Sequence, residues 1–457
     1  MFSRALHKFL VRSQTVKCFS SSTLLSSSVP ETRMTTLPNG LRVASENSGL
    51  PTCTLGLWID AGTRYENPSS NGVAHFLEHM IFKGTKNRTQ LELELEIENM
   101  GAQLNAYTSR EQTVYFARAF SHDAEHVVEI LSDILQNSTL GNAQITRERD
   151  VILREMQEVE ANLQEVVFDH LHVAAYGAKA PLGWTILGPV QNINSISRGE
   201  LKDYINTHYQ APRIVLAAAG GIEHDRLVSY AEKYLSNLPS SSQSRVHLPK
   251  CEFVAGEQRV NNPAIPLAHV VLAVEVCGWP SADCVPLMVA NTIIGAWDRS
   301  QASAGTPLTP LAHSGACHSF QSFNTCYTDT GLWGLHFVCE EANVGKMITE
   351  TQAEWIRICR DVTEEEVTRA KQLLQTNMLL QLDGTNAVCE DIGRQTLCYG
   401  RRIPLDEMQA RIELVTCKSV KEVCSQYIYD QPPALAAVGP LSTLPSYSII
   451  RQQMCRF

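Results

Sequence analysis

The stretch Tyr209 to Gly221, YQAPRIVLAAAGG, returns in outline as Tyr429 to Gly439, YDQPPALAAVG. Each run follows a Tyr-Gly pair, Tyr176-Gly177 in the first case and Tyr399-Gly400 in the second, and the two lie about 220 residues apart. Arg213 to Ala219 (RIVLAAA) is an apolar run of strand length that stops at Gly220-Gly221, the pattern of a buried strand. A repeat on this scale makes the chain two copies of one α+β domain, each of about 200 residues, where length alone would suggest about three domains. Strands come in runs, and the helices between them suit one face of a sheet. This favours two homologous layered α+β domains over a doubly wound parallel sheet.

Working outward, Thr52 to Asp60 (TCTLGLWID) alternates as a strand and a helical pattern follows from Asn71 to Phe82. Leu91 to Asn99 (LELELEIEN) alternates too, but its Leu/Glu composition and the stop at Met100-Gly101 favour a helix. Gln103 to Tyr107 and Gln112 to Ala119 read as paired strands. His122 to Gln136 and Thr146 to Tyr176 read as helices, and Ser197 with Glu200 forms a capping box that opens a helix over Arg198 to His208. Pro239 to Pro249 (PSSSQSRVHLP) is polar and rich in breakers, as an interdomain linker would be. The expected division is a first domain over 31–238, a linker over 239–260 and a second domain over 261–457.

Composition narrows the function. The 457 residues are 44% hydrophobic, 19% charged and 7% aromatic, which is ordinary for a globular protein. Lys and Arg number 38 against 48 Asp and Glu, a net charge of −10 that argues against nucleic acid and suits a cationic partner. The best apolar stretch, Val270 to Val276, is interrupted by Glu275 and is far too short to cross a bilayer. Twelve of the 14 cysteines lie between Cys251 and Cys455, irregularly spaced and without a C-x-x-C pair, so reduced and mostly buried thiols are expected.

The first thirty residues stand apart. Arg4, Lys8, Arg12 and Lys17 are their only charged groups, eight serines fall between Ser3 and Ser28, and no acid occurs before Glu31. Basic residues four or five apart, with Phe2, Leu6, Phe9, Leu10 and Val11 among them, give a cationic amphipathic helix. This is the pattern of a mitochondrial transit peptide over residues 1–30.

His75-Phe76-Leu77-Glu78-His79 carries the chemistry. On a helix, residues four apart share a face, so both imidazoles can converge on one cation with Glu78 beside them. This H-x-x-E-H order reverses H-E-x-x-H. Two neutral histidines suit zinc, and a catalytic zinc needs a third protein ligand and one position for water. Candidates lie in the acid-rich helical segment around Ile152 to Glu158. Glu148, Glu155 and Glu158 are not separable there by periodicity, because Glu148 and Glu155 share a face. His/His/Glu accepts manganese or cobalt as well as zinc.

HFLEHMIFKGT, IENMGAQLNAYTSREQTVYFA and ERDVILREMQEVEANLQEVVFDHLH together resemble the pitrilysin-type inverted-zincin peptidases, in particular the branch that processes mitochondrial presequences. The likeness runs from about Glu31 to the C-terminus and includes SFQSFNTCYTDTGLWGL and DGTNAVCEDIGRQTLCYGRRIP. It implies two domains enclosing a chamber, one Zn2+ per chain held by His75, His79 and Glu155, Glu78 as general base, and Glu148 as a supporting carboxylate. It also implies a heterodimer with a catalytically silent α subunit whose glycine-rich loop helps to hold the substrate. The substrates implied are cationic precursor presequences cut in the matrix, often with an arginine two residues before the cut. Glu165 and Asp169, four apart, would meet that arginine. Phe82 would receive the apolar side chain after the cut. Ala102 to Tyr107 (AQLNAY) would be an edge strand that pairs with the substrate backbone, with Asn105 near the scissile bond, and Tyr327 would reach the chamber from the second domain.

Ala290 to Ser300 (ANTIIGAWDRS), which aligns with the motif, carries no ligand set, and the family's run of glycines and serines after Ser300 is replaced here by QASAGTPLTP. Core proteins of the respiratory cytochrome bc1 complex resemble the family over the same length, so a structural role in that complex, alone or combined with catalysis, is the alternative reading. Degrading peptidases of the superfamily are about twice as long, with four such domains. A purely structural zinc would want four closed ligands, with cysteines that are absent near His75.

Overall fold

The computed structural model describes residues 30–240, 248, 251–300 and 305–455. The expected transit segment therefore lies outside the described residues, apart from Pro30.

Two six-stranded sheets form the frame. The first contains β1 (Arg33–Thr36), β2 (Arg42–Asn47), β3 (Thr52–Ile59), β4 (Gln103–Thr108), β5 (Thr113–Phe120) and β6 (Ile214–Gly220), in the order β1-β2-β6-β3-β5-β4. The second contains β7 (Glu257–Asn261), β8 (Ala268–Val276), β9 (Ala296–Asp298), β10 (Ser319–Cys326), β11 (Gly331–Cys339) and β12 (Ala434–Gly439), in the order β7-β12-β8-β11-β10-β9. The repeated runs are the central strands of the two sheets. β6 pairs parallel with β2 and antiparallel with β3, and β12 pairs parallel with β7 and antiparallel with β8. β7 begins inside the stretch expected to be linker.

Alternation along β6 explains its composition. Ile214, Leu216 and Ala218 join the core formed with α1 (Val73–Met80), α3 (Ala124–Asn137) and the helices Arg198–His208 and His224–Leu235. Val215, Ala217 and Ala219 face the other way, where the covering helix is Thr385–Tyr399 from the second half of the chain. Small side chains on that face let the helix backbone approach. The second sheet repeats the arrangement. Leu435 and Ala437 of β12 join that half's own core, while Ala434, Ala436 and Val438 pack against Val167, Leu171, Ala174 and Ala175 of α5 (Leu163–Tyr176), a helix of the first half. Each sheet thus has helices of its own half on one face and a helix from the opposite half on the other, where the sequence had suggested cover on one face only.

Polar contacts reinforce the exchange. Arg64 bonds Glu111 at 2.5 Å and Asp329 at 2.8 Å, and the Thr328 amide and hydroxyl donate to Glu111. The Tyr107 hydroxyl donates to Glu390 at 2.6 Å, and Arg402 pairs with Glu46.

Thr146 to Tyr176, expected as a single helix, is two: α4 (Asn142–Ala161) ends at Asn162, whose ψ of 91° turns the chain before α5 begins. The thirteen described cysteines are free thiols, most of them buried, and no described helix is long and apolar enough to cross a membrane.

Gly393 tests the exchange directly. A Cβ there would sit 2.1 Å from Cδ2 of Trp58, which is 1% exposed and has no room to move. Gly393→Ala is therefore predicted to destabilise the chain by about 1–3 kcal/mol through overpacking, outweighing the gain in helix propensity. The check is a lowered thermal midpoint; an unchanged or raised midpoint would show that helix 385–399 does not lie against Trp58.

Candidate metal centre

α1 is only eight residues long and has no capping side chain of its own at Gly72, which takes φ 101° and where a Cβ would sit 2.7 Å from the Leu187 carbonyl oxygen. Its start is held from a distance. The buried carboxylate of Glu66 accepts hydrogen bonds from the amides of Gly72 and Ala74 and from Nδ2 of Asn71, at 2.7–2.9 Å. These donors include free amides of the first helical turn, where negative charge is favoured. Burial nevertheless pushes the Glu66 carboxyl up to about 7, with the three hydrogen bonds opposing the shift. The sequence reading missed Glu66; its only signal was a helix opening with no Ser, Thr, Asp or Asn at the cap.

Phe76, Leu77 and Met80 anchor α1 in the core and turn His75 and His79 toward α4. Nε2 of His75 lies 3.4 Å from Oε1 of Glu155, and Nε2 of His79 lies 3.1 Å from Oε2 of the same carboxylate. The two imidazole rings are 4.8 Å apart, and the three donor atoms all fall within 4.8 Å of one another. Among the acids left equivalent by periodicity, Glu155 closes with both histidines, Glu158 is exposed, and buried Glu148 sits behind His79, with Oε2 3.4 Å from Nδ1 and Oε1 2.8 Å from Lys83 Nζ. His75, then His79, hold the Glu155 carboxyl well below the usual carboxylate range. Burial lowers the His79 pKa, but Glu155, Glu78 and Glu148 outweigh it and leave a net upward shift.

Two imidazole nitrogens and one carboxylate oxygen, with a carboxylate behind one imidazole, make a donor set that suits zinc with a position left for water. Glu78 is half-buried on the same turn as His79, close enough to the buried Tyr115 and Tyr209 hydroxyls to bear on their ionisation. Glu96, His126 and Glu129 also cluster, but Arg88 is hydrogen-bonded to both acids, so a cation is already there.

The other expected site residues are more scattered. Phe82 packs its ring edge-on to Tyr115 at 6.2 Å, partly buried beside the centre. Asn105 is exposed on β4, at the end of the first sheet's strand order, and α1 packs against that strand. Glu165 and Asp169 sit on α5, beyond the break at Asn162, and do not continue the helix of Glu155. Both already have partners: Glu165 accepts from Asn162 Nδ2, and Asp169 pairs with Arg110 at 2.7 Å. Tyr327 is buried, with its hydroxyl 2.6 Å from Nε2 of His172 on α5, and so ties the second half to α5.

A family model described as "Insulinase (Peptidase family M16)" matches residues 42–190, and "Peptidase M16 inactive domain" matches residues 195–374. The chain belongs to peptidase family M16. It is accordingly a metalloendopeptidase, and its family and relatives imply a divalent metal. The human mitochondrial-processing peptidase subunit beta is 61% identical over 432 residues, covering 93% of this chain and 88% of that protein. Subunit 1 of the mouse mitochondrial cytochrome b-c1 complex is 50% identical over 438 residues, covering 93% and 90%. A solved chain titled "Complex III2 from Candida albicans, Inz-5 bound" shares the fold with a TM-score of 0.83 at 23% identity, covering 93% of this chain and all of that one.

Glu66→Ala is predicted to leave its three donors without their acceptor, lowering stability by on the order of 2–3 kcal/mol and loosening the centre. Thermal unfolding and the zinc retained after dialysis both report it. Retention of both would mean that Glu66 does not set α1.

Proposed function

We propose that this chain is the catalytic subunit of a two-subunit zinc endopeptidase of the mitochondrial matrix that removes N-terminal presequences from imported precursors. The observation that carries the proposal is the convergence of His75, His79 and Glu155, with Glu78 beside them, in a chain 61% identical to a mitochondrial-processing peptidase subunit beta.

Zinc held by His75, His79 and Glu155 would polarise the scissile carbonyl and acidify a water molecule. Glu78 takes a proton from the attacking water and passes it to the leaving amine. Glu148 orients His79 through Nδ1 and is itself neutralised by Lys83. β4 presents its outer edge beside α1, so a substrate strand added there runs past the centre with Asn105 along it and Phe82 nearby. An extended substrate is required. The acidic net charge suits a cationic presequence, and Glu165 with Asp169 offers carboxylates to its arginine once Arg110 is displaced or shared. The partner is an α-type subunit that contributes its glycine-rich loop.

A core role in the bc1 complex is the second reading, favoured by 50% identity to a bc1 subunit over nearly the whole chain. Docking needs no hydrolytic centre, so the complete donor set with an adjacent glutamate favours catalysis, with or without membership of that complex.

Coexpression of residues 31–457 with a candidate α subunit is expected to give single-site cleavage of a presequence-bearing precursor, abolished by chelation and by Glu78→Gln while that variant keeps its zinc. Failure of a folded, zinc-loaded pair to cut would move the weight to the bc1 role. Charge reversal at both Glu165 and Asp169 is expected to slow cleavage at least tenfold for substrates with arginine two residues before the cut, about 1.4 kcal/mol in kcat/KM, and to spare substrates without it. Equal loss on both substrate classes would remove the two acids from arginine recognition.

A further inference from the structure

Cys277, at the end of β8, and Cys284, the first residue of the helix Cys284–Ile294, bring their sulfurs to 3.6 Å. They are seven residues apart, joined by the tight loop Gly278-Trp279-Pro280-Ser281-Ala282-Asp283. The loop is held along its length: the Trp279 amide donates to the Tyr327 carbonyl at 2.9 Å, the Ser281 amide to the Gly278 carbonyl at 3.2 Å, and the Cys284 amide to the Ser281 carbonyl at 3.4 Å. Cys284 points its thiol back along the loop at the Gly278 carbonyl, 3.2 Å away. The sulfurs are thus held together by backbone geometry.

Access comes from two sides. Cys277 is half-buried and lines an open cavity of about 620 Å³ with Glu275, Gly278, Thr328 and Asp329, while buried Cys284 lines a neighbouring cavity of about 690 Å³ with Trp279 and Tyr399. A water-sized oxidant can reach Cys277. Neither cavity includes the histidine centre, and the peptidase reading uses neither thiol.

We infer that Cys277 and Cys284 form a dithiol modification site that a hydroperoxide converts to an intramolecular disulfide. Cys277 Sγ attacks one oxygen of hydrogen peroxide: an S–O bond forms, the O–O bond breaks, and the departing hydroxide takes up the thiol proton and leaves as water, giving a sulfenic acid on Cys277. Cys284 Sγ then attacks the sulfur of Cys277: the S–S bond forms, the S–O bond breaks, and the departing hydroxide takes up the Cys284 thiol proton and leaves as a second water. Two thiols and one hydrogen peroxide give one disulfide and two waters, the sulfurs being oxidised and the peroxide oxygens reduced. The sulfurs must approach by about 1.5 Å, which side-chain rotation and a small loop movement supply. The neighbouring thiol, then burial, keeps Cys277 protonated near neutrality, so oxidation is slow. Poor thiolate leaving groups likewise make the disulfide slow to open by exchange with glutathione.

Cys326 is the competing thiol, since its side chain also contacts Cys284. Its own Sγ lies 3.7 Å from Oδ1 of Asn324, whereas Cys277 Sγ is 3.6 Å from that of Cys284, so the bond is assigned to Cys277.

The test uses the full-length wild-type protein, folded and zinc-loaded, exposed to hydrogen peroxide, then alkylated under denaturing conditions and digested without reductant. The expected product is a peptide bridged between Cys277 and Cys284, about 2 Da below the sum of its reduced parts, with Cys326 fully alkylated. Cys326→Ser is expected to form the same bridge, and Cys277→Ser to leave Cys284 alkylated. A Cys284–Cys326 bridge, or separate sulfinic acids on Cys277 and Cys284 with no bridge, would overturn the assignment. The wild-type experiment suffices even if a variant fails to fold.

Discussion

The apolar second face of each sheet is the constraint on which the rest of the structure depends. A six-stranded sheet covered by helices of its own half still exposes the alternate residues of its strands, and on β6 and β12 those residues are small and apolar. Burying them requires a helix with an approachable backbone. The chain supplies α5 from its first half and Thr385–Tyr399 from its second, so neither sheet is complete without the other half. This turns two copies of a domain into one unit and fixes α5 on the second sheet while α4, directly before it, stays with the histidine helix.

That fixed frame positions the chemistry. α1 is too short to be stable alone and carries no cap of its own, so its register depends on Glu66 at one end and on the core residues Phe76, Leu77 and Met80 along one side. α4 brings Glu155 to both imidazoles and Glu148 behind one of them. β4 lies at the edge of the same sheet. The proposed metal ligands, the proposed base and the strand edge proposed for the substrate thus come from elements of the first half, while Arg64, Glu111 and Asp329 join that half to the second.

Much of this was legible because it is local. H-x-x-E-H announces itself through the i, i+4 geometry of a helix, and the capping box at Ser197 and Glu200 is present as read. The two central strands were visible as repeated runs, but their alanines gave no indication that a helix from the other half lies on them, since sequence periodicity records burial and not the identity of what covers it. Glu155 could not be separated from Glu148 for the same reason: both lie on one face, and only the distance between α1 and α4 distinguishes the atom that meets the histidines from the one behind them. The break at Asn162 carries neither Gly nor Pro, so Glu165 and Asp169 were assigned to a helix they do not share with Glu155. Arg110 as partner of Asp169, and His172 as partner of Tyr327, are long-range pairs with no local signal.

The central claim is that two imidazoles and one carboxylate hold a single catalytic zinc in a chain that also carries 14 cysteines. X-ray absorption at the zinc edge of the purified, zinc-loaded chain tests it most directly. The account predicts one zinc per chain with only nitrogen and oxygen neighbours, at about 2.0–2.2 Å. A sulfur neighbour at about 2.3 Å would contradict it and place the metal on the cysteines instead.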